Sequence, residues 1–217
     1  MPNYEVHYLS VSDADAIIIR YENSGDQYVV LIGAGNVSDS DKIKNYIWHH
    51  WKTYTIDLAI CTHPDSDHKG GFFGLLNDRD VIINEFWLNT PEDVIKEDEY
   101  NRLYPKRNRL SHCRECYDHP TDTDSLNLID LAVSNKCNVY GAYCGKIHSH
   151  IPISVVGPSL DFYHPLAIEI LKNNKRRKDE DNTIYNDIGY FSSVQAKSSI
   201  DDEPDDCSPT NAGSTIL

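Results

Sequence analysis

Hydrophobic and polar positions alternate at the start of the chain, in Tyr4-Glu5-Val6-His7-Tyr8-Leu9, and a period of two predicts a strand. A second, more apolar strand is predicted over Ala16-Ile17-Ile18-Ile19-Arg20-Tyr21. Asn23-Ser24-Gly25-Asp26 reads as a hairpin turn, with Tyr28 to Ile32 as the returning strand and Gly33-Ala34-Gly35-Asn36 as a sharp change of direction. The period then changes. Ser38-Asp39-Ser40-Asp41 offers several N-caps for a helix whose inner face is predicted to carry Ile43, Ile47, Trp48 and Trp51. Ile56 to Cys61 returns to strand, Phe72 to Leu76 to helix, and Glu85 to Leu88 to strand.

Beyond this point the pattern loosens. Pro91 to Arg109 is charged and predicts helix with loop, and Leu126 to Ala132 predicts a helix capped by Ser125. Val139-Tyr140 and Ile153 to Val156 read as strands, the latter closed by Gly157-Pro158-Ser159, and Phe162 to Leu171 reads as a helix. Two polar segments, 173–187 and 198–210, are expected to be solvated, mobile loops. Helices interspersed among strands in this way predict a layered α/β or α+β domain covering residues 1–217.

The strand ending at Cys61 opens into Thr62-His63-Pro64-Asp65-Ser66-Asp67-His68-Lys69-Gly70-Gly71, which concentrates four possible metal ligands in six residues. His63 and Asp65, on alternate positions of an extended segment, can point the same way. The consecutive Asp67 and His68 can diverge toward a second position as the chain turns into a helix. One short loop can thus serve two metals. An oxygen ligand beside an imidazole makes the first position harder, so Mn²⁺ competes there with Zn²⁺, the expected ion.

Composition narrows the substrates and the compartment. With 34 acidic against 20 basic groups and a net charge of -14, the chain has no broad attraction for nucleic acid or an anionic membrane, so a phosphate substrate needs local help from metal ions or a small basic patch. Lys172, Lys175, Arg176, Arg177 and Lys178 form a dense basic cluster, but Asp179, Glu180 and Asp181 cancel it at a distance. The start lacks a basic leader and the first apolar run is short, so we expect a cytoplasmic chain with no membrane partner. Six irregularly spaced cysteines predict thiols rather than a disulfide framework.

The H-x-D-x-D-H run after a strand resembles the metallo-β-lactamase superfamily, whose usual pattern is H-x-H-x-D-H, and in particular the hydrolase domain of ComEC-type competence proteins. Leu9 to Ile17 resembles that group's D-V-G-Q-G-D-A opening, and Val30 to Gly35 its L-I-D-x-G turn. Val155 to Ser159 with Phe162-Tyr163 resembles a strand-Gly-Pro-Ser-helix segment, and Thr210 to Leu217 the N-x-x-S start of a later strand. The resemblance implies an αββα sandwich and a metal-dependent hydrolase, with a phosphodiester or nucleic acid as the implied substrate. It implies two divalent ions, one held by His63 and Asp65 and the other by Asp67 and His68, with Asp67 as the candidate catalytic carboxylate.

The sequence departs from this pattern where Ser10 and Gly33 replace aspartates, and where Ser12-Asp13-Ala14 replaces Gly-Gln-Gly. The family's later Gly-Asp and His-His-Gly ligands have no counterpart up to Leu217. We therefore expect an incomplete C-terminal side, with the remainder of a longer chain or a partner subunit completing the site. A non-catalytic module of the same fold, as in a multiprotein defence system, and a hydrolase of thioesters or lactones are the alternative readings. Two weaker constellations are His112-Cys113-Arg114-Glu115-Cys116-Tyr117-Asp118-His119, either a small structural zinc site or an insertion with incidental thiols, and His148 with His150, either a further ligand pair or ordinary loop residues.

Overall fold

A computed structural model describes residues 3–11, 14–120, 126–180, 215 and 217, with the side chains of 175–180 left out. The N-terminal strands form as their pattern predicts: β1 (Asn3–Tyr8), β2 (Ile17–Asn23) and β3 (Asp26–Ile32) make an antiparallel meander. Ser24 and Gly25 turn β2 into β3 with φ of 55° and 96°, the left-handed pair that a tight hairpin requires. The chain then crosses over three times. β4 (Thr55–Ile60), β5 (Ile82–Trp87) and β6 (Asn138–Tyr140) add in parallel, giving a six-stranded sheet in the order β1-β2-β3-β4-β5-β6.

Because each parallel step runs in the same direction along the sheet, crossovers of one hand place their helices on one face. α1 (Ser40–Trp51), α2 (Ser66–Asn77) and α6 (Leu128–Ser134) all bury their apolar side chains there. Ile43, Ile47, Phe72, Phe73, Leu75, Leu128 and Ile129 meet Ile18, Leu31, Ala59 and Phe86 in the main core, each buried Ile, Leu or Phe worth roughly 1.5–3 kcal/mol. On the opposite face Val30, Leu58, Ile60 and Trp87 are covered by Ala142, Ile151 and Val155. The short helices α3 (Pro91–Val94), α4 (Glu97–Leu103) and α5 (Arg109–Arg114) pack with α7 (Leu160–Glu180) around Tyr100, Cys113, Tyr163 and Leu171. Among the described residues no helix is long and apolar enough to cross a membrane.

The layered α/β architecture is as expected, and several local expectations are corrected. Trp48 lies off the core face of α1, 42% exposed, and stacks on Tyr54 with ring centroids 4.7 Å apart. The cap of α6 is Asn127, whose side chain accepts from the amides of Ile129 and Asp130, while Ser125 lies outside the described residues. Ile153 to Val156 is not a regular strand. Its backbone folds back on residues 145–148, leaving one isolated bridge between Ile147 and Ser154.

The expected loop from residue 173 begins as helix instead, because α7 continues to Glu180. The buried Asn174 anchors that stretch by donating to the His112 carbonyl at 3.3 Å, and the lysines, arginines and glutamate that follow are good helix formers. Residues 181–187 and 198–210 lie outside the described residues.

Glycine decides how closely α2 approaches the sheet. A Cβ on Gly71 would run into the Ala34 carbonyl oxygen, and one on Gly70 would lie 2.5 Å from the Val37 nitrogen. Gly71→Ala should therefore push α2 outward and lower stability by about 2 kcal/mol or more. Urea denaturation followed by circular dichroism would measure the loss, and an unchanged midpoint would show that α2 does not depend on this contact.

Candidate metal centre

The H-x-D-x-D-H run sits at the carboxyl end of a parallel strand, where open α/β sheets place their sites. Cys61 still pairs with the sheet, its N–H donating to the Trp87 carbonyl at 2.9 Å, and its thiol donates to the His63 carbonyl at 3.1 Å. Thr62 Oγ1 lies 3.0 Å from His63 Nδ1, which aims the other ring nitrogen, Nε2, at Asp65. Thr215 also reaches this strand end and donates its N–H to the Thr62 carbonyl at 2.9 Å.

Asp65 is the N-cap of α2, with extended backbone at φ -72° and ψ 150°, and its carbonyl accepts from the amides of His68 and Lys69. An aspartate here normally spends its carboxylate on the amides of the first turn. Asp65 makes no such side-chain cap, and its Oδ2 lies 3.7 Å from His63 Nε2 instead. Asp67 and His68 follow in the first turn, with Asp67 Oδ2 3.6 Å from His68 Nε2. The four residues thus lie as two acid–imidazole neighbours, His63 with Asp65 and His68 with Asp67. The pairs do not separate widely, since the two imidazole rings lie 3.9 Å apart between centroids.

The structure adds Asp15, whose Oδ2 lies 3.7 Å from His68 Nε2. It sits between β1 and β2, within the segment resembling D-V-G-Q-G-D-A, and the place of its counterpart in that string was the available signal. Gly33 explains how Asp15 and His68 come together. Its φ is +64°, and a Cβ there would meet the Asp15 carbonyl at 2.5 Å and His68 Nδ1 at 3.7 Å. A side chain at 33 would have to displace that backbone, so this local geometry requires glycine where the family pattern has aspartate. Ser10, the other departure, accepts at its carbonyl from the Lys42 ammonium.

The electrostatics suit cation binding at the edge of a buried layer. The imidazoles are largely buried, whereas the carboxylates of Asp65, Asp67 and Asp15 are progressively more exposed. Burial, and then the neighbouring His68, lower the pKa of His63 against the opposing pull of Asp65, Asp67 and Asp15. His63 is thus biased toward the neutral form that can ligate a metal. The set of two imidazoles and three carboxylates suits a divalent ion of intermediate hardness. Among the described residues, no group of three or more His, Cys, Asp or Glu side chains is placed so that it could hold a metal ion, and a catalytic zinc takes three protein ligands.

The weaker constellations resolve differently. Cys113 is buried in the helical core, Cys116 Sγ points to the Cys113 carbonyl at 3.8 Å, and burial pushes both thiols up to about 12. His112 meets Tyr100, Arg107 and the Leu171 carbonyl, and His119 packs edge-on to Phe73, so the segment is built as packing rather than a zinc knuckle. His148 Nδ1 accepts from the amides of His150 and Ile151, which places its proton on Nε2, facing Glu85 at 3.8 Å. That ring holds a turn together. His150 stacks parallel to Tyr28.

No protein-family model matches the chain, and no curated protein matches it.

Burial lowers the pKa of His148, partly offset by Glu85, so the folded protein resists a proton that the unfolded chain accepts near the ordinary histidine value of 6.5. Stability should be full above that value and fall as pH drops below it, with His63 contributing the same sign. Melting temperatures in chelator from about pH 7.5 to about pH 5.5 should fall. The slope should be shallower in His148→Asn, where an amide oxygen can accept the same backbone bonds. An equal slope in both proteins would contradict this.

Proposed function

We propose that this chain carries a metallo-β-lactamase-like centre that binds divalent cations and hydrolyses phosphodiesters. The observation carrying the proposal is the gathering of His63, Asp65, Asp67, His68 and Asp15 at the end of β4 and the first turn of α2, with Asp65 held away from its capping role. His63 and Asp65 would hold one ion, Zn²⁺ or Mn²⁺, and Asp67 and His68 the other. When bound, such ions polarise a phosphoryl oxygen and lower the pKa of water. Thr62 orients the His63 ring, and the α2 backbone fixes Asp67 and His68 as neighbours. Asp67 is the candidate catalytic carboxylate, able to accept a proton from an attacking water while its neighbour His68 keeps its position.

The same geometry makes the substrate depend on the metal. A phosphodiester approaching three carboxylates on a chain of net charge -14 is repelled until cations neutralise them. A second reading, a module that binds metal or a partner without turnover, is favoured by the two-donor pairs. On either reading, donors beyond these pairs would have to complete the coordination.

Metal content after equilibrium dialysis with Zn²⁺ or Mn²⁺, compared between the wild type and Asp67→Ala/His68→Ala, tests the centre. The wild type should retain metal that the double variant loses. Hydrolysis of a generic phosphodiester, single- and double-stranded DNA, and RNA should fall in that variant by about 10²-fold or more. Equal metal content in the two proteins would falsify the hydrolase reading. Retained metal with no turnover on any of these substrates would favour the binding module.

A further inference from the structure

The sheet ends at β1, and among the described residues no strand pairs with its outer edge. Edge strands are normally protected by shortness, a bulge, proline or charge. Over Asn3–Tyr8, β1 has no bulge or proline, its register with β2 being unbroken from Asn3 opposite Glu22 to Tyr8 opposite Ile17, and its one carboxylate, Glu5, lies beside Arg20 and His7 of its own chain on the face opposite Tyr4, Val6 and Tyr8. Tyr4, Val6 and Tyr8 share one face and are 72%, 43% and 78% exposed.

The hydrogen-bond phase of this strand follows from its inner partner. The Leu9 N–H donates to the Ala16 carbonyl at 2.9 Å, and this pair continues the β1–β2 register. Antiparallel alternation then turns the backbone groups of Asn3, Glu5 and His7 toward β2, and those of Tyr4, Val6 and Tyr8 outward. The exposed apolar positions are therefore also the positions whose N–H and C=O groups face the open edge.

We propose that β1 pairs antiparallel with β1 of a second copy of this chain, about a two-fold axis at Val6, joining the two sheets into one. In that register Val6 faces Val6, and Tyr4 faces Tyr8 of the other copy, all as hydrogen-bonded pairs. Glu5 faces His7 of the other copy as a non-hydrogen-bonded pair, the kind in which side chains approach most closely. The neighbouring symmetric registers are worse. An axis at Glu5 sets the two glutamates against each other, and an axis at His7 does the same to the histidines. The strand is thus complementary to itself in one register, in hydrogen bonding and in aromatic pairing. The opposing force is repulsion between two chains of net charge -14, which physiological salt screens. The inference is independent of the metal centre.

Sedimentation equilibrium of the full chain should give twice the 24.7 kDa chain mass. Val6→Pro removes an outward N–H and leaves the bonds to β2, so it should weaken dimerisation at least about tenfold while circular dichroism shows the fold retained. Glu5→Lys should weaken it too, and adding His7→Glu to that variant should restore it by reversing the pair. A wild type that stays monomeric to high micromolar concentration overturns the proposal, as does a folded Val6→Pro with wild-type affinity. Should Val6→Pro fail to fold, the charge reversal decides, and a double variant no tighter than Glu5→Lys overturns it.

Discussion

The closeness of α2 to the turn after β3 is the constraint on which the candidate site depends. Ala34 donates its N–H to the His68 carbonyl at 2.9 Å, Gly71 donates to the Gly35 carbonyl at 3.1 Å, and Gly35 donates to the Asp15 carbonyl at 3.1 Å. These bonds tie three segments distant in sequence into one backbone cluster, and they form only because Gly70 and Gly71 carry no side chain between helix and turn. The glycines that follow the H-x-D-x-D-H run are part of the same device as its ligands. They bring His68 to Asp15, while β4 brings His63 to the same edge.

Placing imidazoles inside and carboxylates outside gives the cluster a direction. The rings of His63 and His68 are held by the strand end and the helix, and the acidic groups face solvent, so a cation would meet the carboxylates before the nitrogens. Burial, and then the neighbouring His68 ring, disfavour protonation of His63, whose pKa is lowered. The same cluster sets Asp65, Asp67 and Asp15 each beside an imidazole, negative charge that a bound cation would offset.

Much of this was legible in the sequence because it is local. The β1–β3 meander, its hairpin turn and the start of α1 follow from period and turn chemistry, and the four run residues from their spacing. What was missed depends on distant partners. Asp15 joins His68 only through the β3 turn, and Gly33 looks like a lost aspartate until its positive φ and its contact with the Asp15 carbonyl are known. Residues 173–180 read as loop because charge suggests solvent, yet Asn174 reaches the His112 carbonyl and keeps α7 helical. Ile153 to Val156 has a strand's composition, but it pairs with a neighbouring loop rather than with the sheet.

Asn89, just past β5, shows how the strand ends are held together. Its side-chain oxygen accepts from the Ala142 amide at 2.8 Å, its amide donates to Thr215 Oγ1 at 3.2 Å, and its carbonyl accepts from the hydroxyls of Tyr117 and Tyr163. A buried amide costs free energy unless its donors and acceptors are used, and here one residue joins β5, the segment after β6, the 3-10 turn at Glu115–Tyr117, α7 and Thr215. Thr215 in turn donates to Thr62, the residue beside His63 Nδ1. The orientation of the first candidate ligand is thereby linked to the packing of α7 through a chain of satisfied polar groups. The link exists only when the strand ends, the helix and the returning backbone are folded together.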